Sequence, residues 1–246
     1  MKRTLVLFAA ILFAGFTFSQ SNYRMYENTY LKVKTDKFKE FFESVTHHNK
    51  TYHNHGPHHA RIWSVTSGPN AGAFLWQMGP CTFTDIDSRP ESKEHMEDWM
   101  YNVMPNVWGI EDGGYWRRDE KFVHVPMDSA TSKIIVTFFD LKDDSKHRFK
   151  KMVEQVVEVY KEKNYDNFFA SYYPQFDSGD DRDAAVVYGF KKWASFDDED
   201  RSFKKDFEEV HGEGSWETFR TEARDVIEDA VDEIWELLPG LSGDFE

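Results

Sequence analysis

Six of the ten histidines in this chain fall within one stretch of 13 residues: His47, His48, His53, His55, His58 and His59. Neutral imidazole binds zinc, copper, nickel and iron, so such a tract offers ligands to a transition metal. No ordered ligand spacing is present. His55 and His59 are four apart, but Gly56 and Pro57 keep a helix from aligning their rings. A solvated polar loop is the simplest reading. A metal or haem site fed by one or two members, with His55, His58 and His59 as candidates, is the second. A pH-sensing segment is the third, since imidazole titrates near neutrality. Asn49-Lys50-Thr51 also fits a glycosylation acceptor, which matters only in a eukaryotic secretory pathway.

Three further sets of residues could do chemistry. His95 and Asp98 are three apart on a predicted helix and share a face, and a histidine oriented by a carboxylate is a candidate acid/base pair. Asp85, Asp87 and Arg89 lie just before them, and a turn held by Asp side chains and an Arg–Asp contact explains that segment equally well. Trp63, Trp76 and Trp99 are candidates for the walls of an apolar ligand pocket, with core packing as the plainer alternative. Cys81 is the one cysteine and reads as a buried small hydrophobe rather than a reactive thiol. The turn Ser67 to Gly72 matches no phosphate loop. There is no Gly-x-Ser-x-Gly, no His-Glu-x-x-His and no paired Cys-x-x-Cys. The acidic run Asp177 to Asp183 lacks the calcium-loop pattern.

Composition narrows the partners. Of 246 residues, 44 are acidic and 30 basic, a formal charge of −14. A surface so acidic repels phosphate backbones, so nucleic acid is not an expected partner. Residues 1–19 carry Lys2 and Arg3, an apolar run from Leu5 to Phe16, and small residues at Thr17 and Ser19. That is the pattern of a secretory signal peptide cleaved near Ser19, which places the mature protein in a periplasm or outside the cell. Cleavage removes two bases and no acids, leaving 28 basic against 44 acidic residues, or −16. The apolar run is shorter than the roughly 20 residues a spanning helix needs, so no stable membrane span is expected. With one cysteine there is no intramolecular disulfide, and the exported fold must rest on its core.

The elements that must position these residues come in two similar sets. Tyr30 to Lys34 alternates like a strand, and Phe38, Phe41, Phe42 and Val45 recur at helical spacing. Ala60–Thr66 and Ala73–Met78 form a hairpin stopped by Gly79-Pro80, with Ile62, Ser64 and Thr66 on one face and Trp63 and Val65 on the other. A helix after Pro90 presents Met96, Trp99, Met100, Val103 and Met104 inward, and Gly113 to Val125 is a strand. After Met127-Asp128-Ser129 the order recurs: a strand over Ile134 to Phe139, a helix with Phe149, Met152, Val153, Val156, Val157 and Tyr160 inward, then strands Asn167–Pro174 and Ala184–Lys192. A long last helix begins near Ser215, with Trp216, Phe219, Ala223, Ile227, Ala230 and Ile234 inward. Phe38 to Trp63 spans 25 residues and Phe149 to Tyr173 spans 24, which supports a duplication.

A βαββαβ unit is the ferredoxin-like plan. The expected fold class is therefore α+β, with tandem ferredoxin-like repeats packed as an intrachain α+β barrel. The units are a signal peptide (1–19), a short tail (20–27), a first repeat (28–127) and a second repeat (128–246). This layout resembles the dimeric α+β barrel superfamily, which includes NIPSNAP-like and antibiotic-biosynthesis-monooxygenase-like barrels and haem-binding peroxidase relatives. The resemblance rests on element order, the hairpin and the duplication, and it implies a pocket between each sheet and its helices. Fold does not assign a reaction. The leading expectation is an exported protein that binds a small apolar molecule, as a monomer or homodimer. The alternatives are a cofactor-free monooxygenase-like or haem-dependent enzyme of the same fold, and a protein-interaction module. The sequence requires no cofactor, and it leaves haem or a transition metal open.

Overall fold

The computed structural model describes residues 23–126, 131–177, 179, 181–197 and 202–244. The segment read as a signal peptide (1–19) lies outside the described residues, as do Asp128 and Ser129 at the expected boundary and part of each acidic run. Eight strands, every neighbouring pair antiparallel, close into one barrel in the order β1-β3-β2-β8-β5-β7-β6-β4. The strands are β1 (Met25–Val33), β2 (Ala60–Ser67), β3 (Phe74–Cys81), β4 (Val107–His124), β5 (Lys133–Leu141), β6 (Phe169–Pro174), β7 (Ala184–Gly189) and β8 (Ile227–Leu237). The first four lie in the order β4-β1-β3-β2 and the last four in the order β8-β5-β7-β6, the same arrangement counted from each half's own first strand. Two pairings join the halves, β2 to β8 at Trp63 and Leu237, and β4 to β6 at Trp116 and Pro174. Closure leaves no free sheet edge.

Helices cover the outside. In the first half these are α1 (Phe38–Tyr52), the one-turn α2 (Phe83–Asp87) and α3 (Lys93–Asp98), which continues as a π-type turn over Trp99–Val103. In the second half they are α4 (Lys146–Glu162), α5 (Phe203–His211) and α6 (Ser215–Val226). No described helix is long and apolar enough to cross a membrane.

Strand alternation sorts the apolar side chains into three cores. On β2, Trp63 and Val65 point into the barrel, where they meet Tyr30, Leu75, Trp116, Phe138 and Trp235. Ile62, one residue away, points out to Phe41 and Val45 of α1. In the second half α4 lays Phe149, Met152, Val153 and Tyr160 against Phe169 and Tyr173. The first half has an opening between its sheet and its helices.

Three expectations need correction. The last helix stops at Val226, and Ile227–Leu237 is a strand. Ile227, Ala230 and Ile234 mimic a helical stripe, but Val231, Glu233, Trp235 and Leu237 also alternate. Pairing β8 with both β5 and β2 satisfies two edges that a helix would leave open. Strand β3 does not stop at Gly79-Pro80 but runs on to Cys81, paired with Met25. Met96 and Met100 do not face the core. Both are more than half exposed, because the backbone widens into the π-type turn and rotates that face away.

Candidate metal centre

Helix α1 supplies the first ligand. Its inward stripe runs Phe41, Val45, His48 and Asn49, so helical spacing carries an imidazole into the core where an apolar residue would ordinarily sit. The helix ends at Tyr52, and His53 follows with its backbone N–H bonded to the Asn49 carbonyl, which turns its ring back towards His48. Across from them, Ser92 caps α3 by accepting from the His95 N–H, which fixes the start of that helix and the position of His95.

The three rings meet. Ring centroids lie 5.2 Å apart for His48 and His53, 5.0 Å for His48 and His95, and 4.9 Å for His53 and His95. One nitrogen from each lies within 4.8 Å of the others, the one such cluster of metal-ligating side chains among the described residues. His48 and His53 are almost fully buried and His95 is 8% exposed. Each ring also has its far nitrogen committed. His53 Nδ1 donates to the His58 carbonyl (2.8 Å), and His95 Nδ1 donates to the Pro90 carbonyl (2.8 Å). His48 Nδ1 donates to Asp98 Oδ2 (2.8 Å), and Asp98 Oδ1 accepts from Asn102 Nδ2 (2.7 Å).

Those bonds fix the tautomers. A carbonyl only accepts, so Nδ1 of His53 and of His95 carries a proton, and in the neutral ring Nε2 then presents a lone pair. The two Nε2 atoms face each other at 3.1 Å. Metal–imidazole bonds are about 2.05 Å long, and two such bonds with nitrogens 3.1 Å apart subtend an angle of about 98°, between octahedral and tetrahedral values. Nε2 of His48 is left as its ligand atom by the Asp98 bond. The Asp98–His48 contact is the carboxylate support that metal-binding imidazoles commonly receive. Burial favours the neutral form of His53 and of His48. Burial, and then the other two imidazoles, push His53 down to about 3, against the opposing bond to His58. Burial also lowers His48, although Asp98 pulls the other way. Burial raises Asp98, but hydrogen bonds from Asn102 and His48 outweigh it and hold the carboxyl below its ordinary range.

A pocket of about 470 Å³ opens directly over the cluster, between the first sheet and α3. Trp76, Trp99, Met96, Met100 and Ile110 form its apolar wall. Its polar rim is Glu27, Arg89 and Glu91, with Arg89 paired to Glu27 and the Arg89 Nε buried without a hydrogen-bond partner. Trp76 is held by a bond from its Nε1 to Asn49 Oδ1 (3.0 Å), and Tyr52 stacks on His95 at 4.6 Å.

The candidates read from sequence divide. His95 and Asp98 both stand in this site, but as partners of Pro90 and His48 rather than of each other. Trp76 and Trp99 line this pocket, while Trp63 sits on the opposite face of the sheet, inside the barrel. The structure does not gather His55, His58 and His59 around one point. His55 is exposed and contacts Asn54, His58 Nε2 donates to the Asp85 carbonyl (2.7 Å), and His59 packs against Gly243. His48 and His53 were hidden by their own tract. The signal that finds His48 is its place on the inward stripe of α1. Cys81 is buried, and that burial pushes its thiol up to about 11.

Neither a family model nor a curated protein matches the chain. Solved structures do. A candidate monooxygenase from Lactobacillus acidophilus superposes with a TM-score of 0.54 at 7% identity, over 90% of this chain and 96% of that one. Chlorite dismutase from Candidatus Nitrospira defluvii, in complex with imidazole, gives 0.53 at 8%, over 87% and 92%. An anthrone oxidase-like protein gives 0.52 at 9%, over 89% and 92%. The chain shares its fold with these structures. At such identities the likeness is one of fold, and one fold hosts more than one chemistry. The site in this barrel therefore rests on its own geometry. That geometry does not fit a haem. A macrocycle needs a clear plane at its axial nitrogen, and His48, His53 and His95 stand within 5.2 Å of one another, ring to ring. Their donor set fits a bare ion.

Proposed function

We propose that this chain is an exported metalloprotein that holds one transition-metal ion on His48, His53 and His95 and binds a small apolar molecule in the pocket beside it. The observation that carries the reading is the meeting of the Nε2 atoms of His53 and His95 at 3.1 Å with both Nδ1 atoms committed to carbonyls. Between neutral rings the two lone pairs repel unless a cation lies between them, and burying them unpaired costs free energy. Three protein ligands leave coordination positions open towards the pocket, the arrangement of catalytic rather than structural metal sites. A bound ion would act there as a Lewis acid on an oxygen of the bound molecule. Trp76, Trp99, Met96 and Met100 would hold its apolar part.

The cofactor-free monooxygenase reading needs a base in the same pocket, where burial makes His53 a poor one and leaves His95 to serve. The matching strand orders of the two halves support tandem ferredoxin-like units, 28–127 and 128–246, closed within one chain. Export rests on residues 1–19, and cleavage near Ser19 would leave this site intact.

Calorimetric titration of chelator-stripped protein with Zn²⁺ tests the proposal. One equivalent should bind, with affinity reduced by more than about a hundredfold in His53→Ala or His95→Ala and unchanged in His55→Ala. Equal effects from all three variants, or no stoichiometric uptake, would refute it.

A further inference from the structure

The interior of the barrel holds a second cavity, of about 220 Å³, on the other face of the sheet from the histidines. Among the described residues its wall contains no acidic side chain, although 44 of the 246 residues are Asp or Glu. It does contain a guanidinium. Arg61 points inward from β2, next to Trp63, and donates from Nη1 to the Gly79 carbonyl at 2.6 Å. Among the described residues it has no carboxylate partner, and burial lowers its pKa. Leaving a cation out of water without a counter-charge is costly, and such groups are normally paired. Arg118 of β4, which is also buried, is by contrast paired, with a bidentate bond to Glu120 at 3.0 and 2.6 Å.

Two hydroxyls near Arg61 can donate. The hydroxyls of Tyr26 and Tyr172 have no hydrogen-bond partner among the described residues, and burial pushes the Tyr172 phenol upwards, keeping its proton in place. Gln77 is already engaged, accepting from Trp63 Nε1 (3.2 Å) and donating to Asn28 Oδ1 (3.1 Å). The rest of the wall is largely aromatic, with Trp63, Trp116, Trp235 and Phe138. A dry apolar cavity of about 150 Å³ is enough for benzene, so 220 Å³ takes one ring and a small substituent.

We infer that the barrel interior is a second ligand site, for a small carboxylate-bearing aromatic molecule whose anion lies on Arg61, Tyr26 and Tyr172 and whose ring lies among Trp63, Trp116 and Trp235. Arg suits this role because its planar fork matches a carboxylate. The site is independent of the metal centre, which lies on the outer face.

Sodium benzoate is the probe, and benzyl alcohol is its uncharged counterpart. Benzoate should bind metal-stripped protein and quench tryptophan fluorescence, and binding should weaken on the order of tenfold in Arg61→Gln. Arg61→Lys should retain part of the affinity. Benzyl alcohol should bind weakly and equally to all three proteins. Tyr172→Phe, which removes only a hydroxyl, should weaken benzoate severalfold, and it serves should Arg61→Gln fail to fold. His53→Ala should leave benzoate binding unchanged. Absence of benzoate binding overturns the inference, as does equal affinity for the alcohol or insensitivity to both Arg61→Gln and Tyr172→Phe. Loss of binding in His53→Ala alone would place the anion in the outer pocket and overturn it too.

Discussion

His53 ties the stability of the metal-free protein to pH in a way that can be calculated. Its ring is buried, and its pKa falls from an ordinary 6.5 to about 3. The unfolded chain takes up a proton near 6.5 and the folded chain does not until near 3. Between those values the unfolded state binds more protons, so stability falls as the solution is acidified. Each pH unit is worth about 1.36 kcal/mol, so acidification from pH 7 to pH 5 costs about 2 kcal/mol through this one group. Urea unfolding of chelator-treated protein at the two pH values measures the loss, and His53→Gln, which cannot titrate, supplies the baseline. The wild-type protein should lose about 2 kcal/mol more than the variant. Equal losses would mean that His53 accepts a proton in the folded state, and the argument from facing lone pairs would fail. Saturating Zn²⁺ should add stability at pH 7 and lose that added stability as acid competes for the ligands.

Three other perturbations probe separate parts of the structure. Asp98→Asn keeps the shape but removes the carboxylate from His48, so Zn²⁺ affinity should fall about 10- to 100-fold by calorimetry without loss of the one-to-one stoichiometry. Glu233 is buried at the other end of the barrel and accepts from Tyr30, Asn70 and Trp235 at 2.7–2.8 Å, so Glu233→Leu should cost roughly 3 kcal/mol or more in urea unfolding by orphaning those donors. Cys81, buried and with its thiol pushed up to about 11, should react with a disulfide reagent at pH 8 far more slowly in the folded protein than in denaturant.

The barrel was largely legible because its signals are local. Alternation on β2 separated Ile62 from Trp63, and helical spacing exposed the inward faces of α1 and α4. Strand β8 was not legible, since Ile227 to Leu237 satisfies both periods over a short window and only the need to close β2 against β5 decides between them. The site was half legible. His95 and Asp98 could be named from their spacing, and the histidine tract was conspicuous. Its members could not be ranked from composition, because what selects His48 and His53 over His55, His58 and His59 is the end of α1 at Tyr52 and the arrival of α3 some forty residues later. The pairing of Asp98 with His48 is a contact across 50 residues that no local pattern encodes. Trp63 and Trp76 sit on paired strands, yet the pleat sends them into different cavities.

The central claim is that three imidazoles form one metal site. X-ray absorption and anomalous diffraction at the zinc edge, on protein loaded with one equivalent of Zn²⁺, test it most directly. The account predicts one ion bound by Nε2 of His48, His53 and His95 at about 2.0–2.1 Å, with an open position facing Trp76 and Trp99. An ion lodged instead among His55, His58 and His59, or spread over surface carboxylates with the His53–His95 contact unchanged, would contradict it.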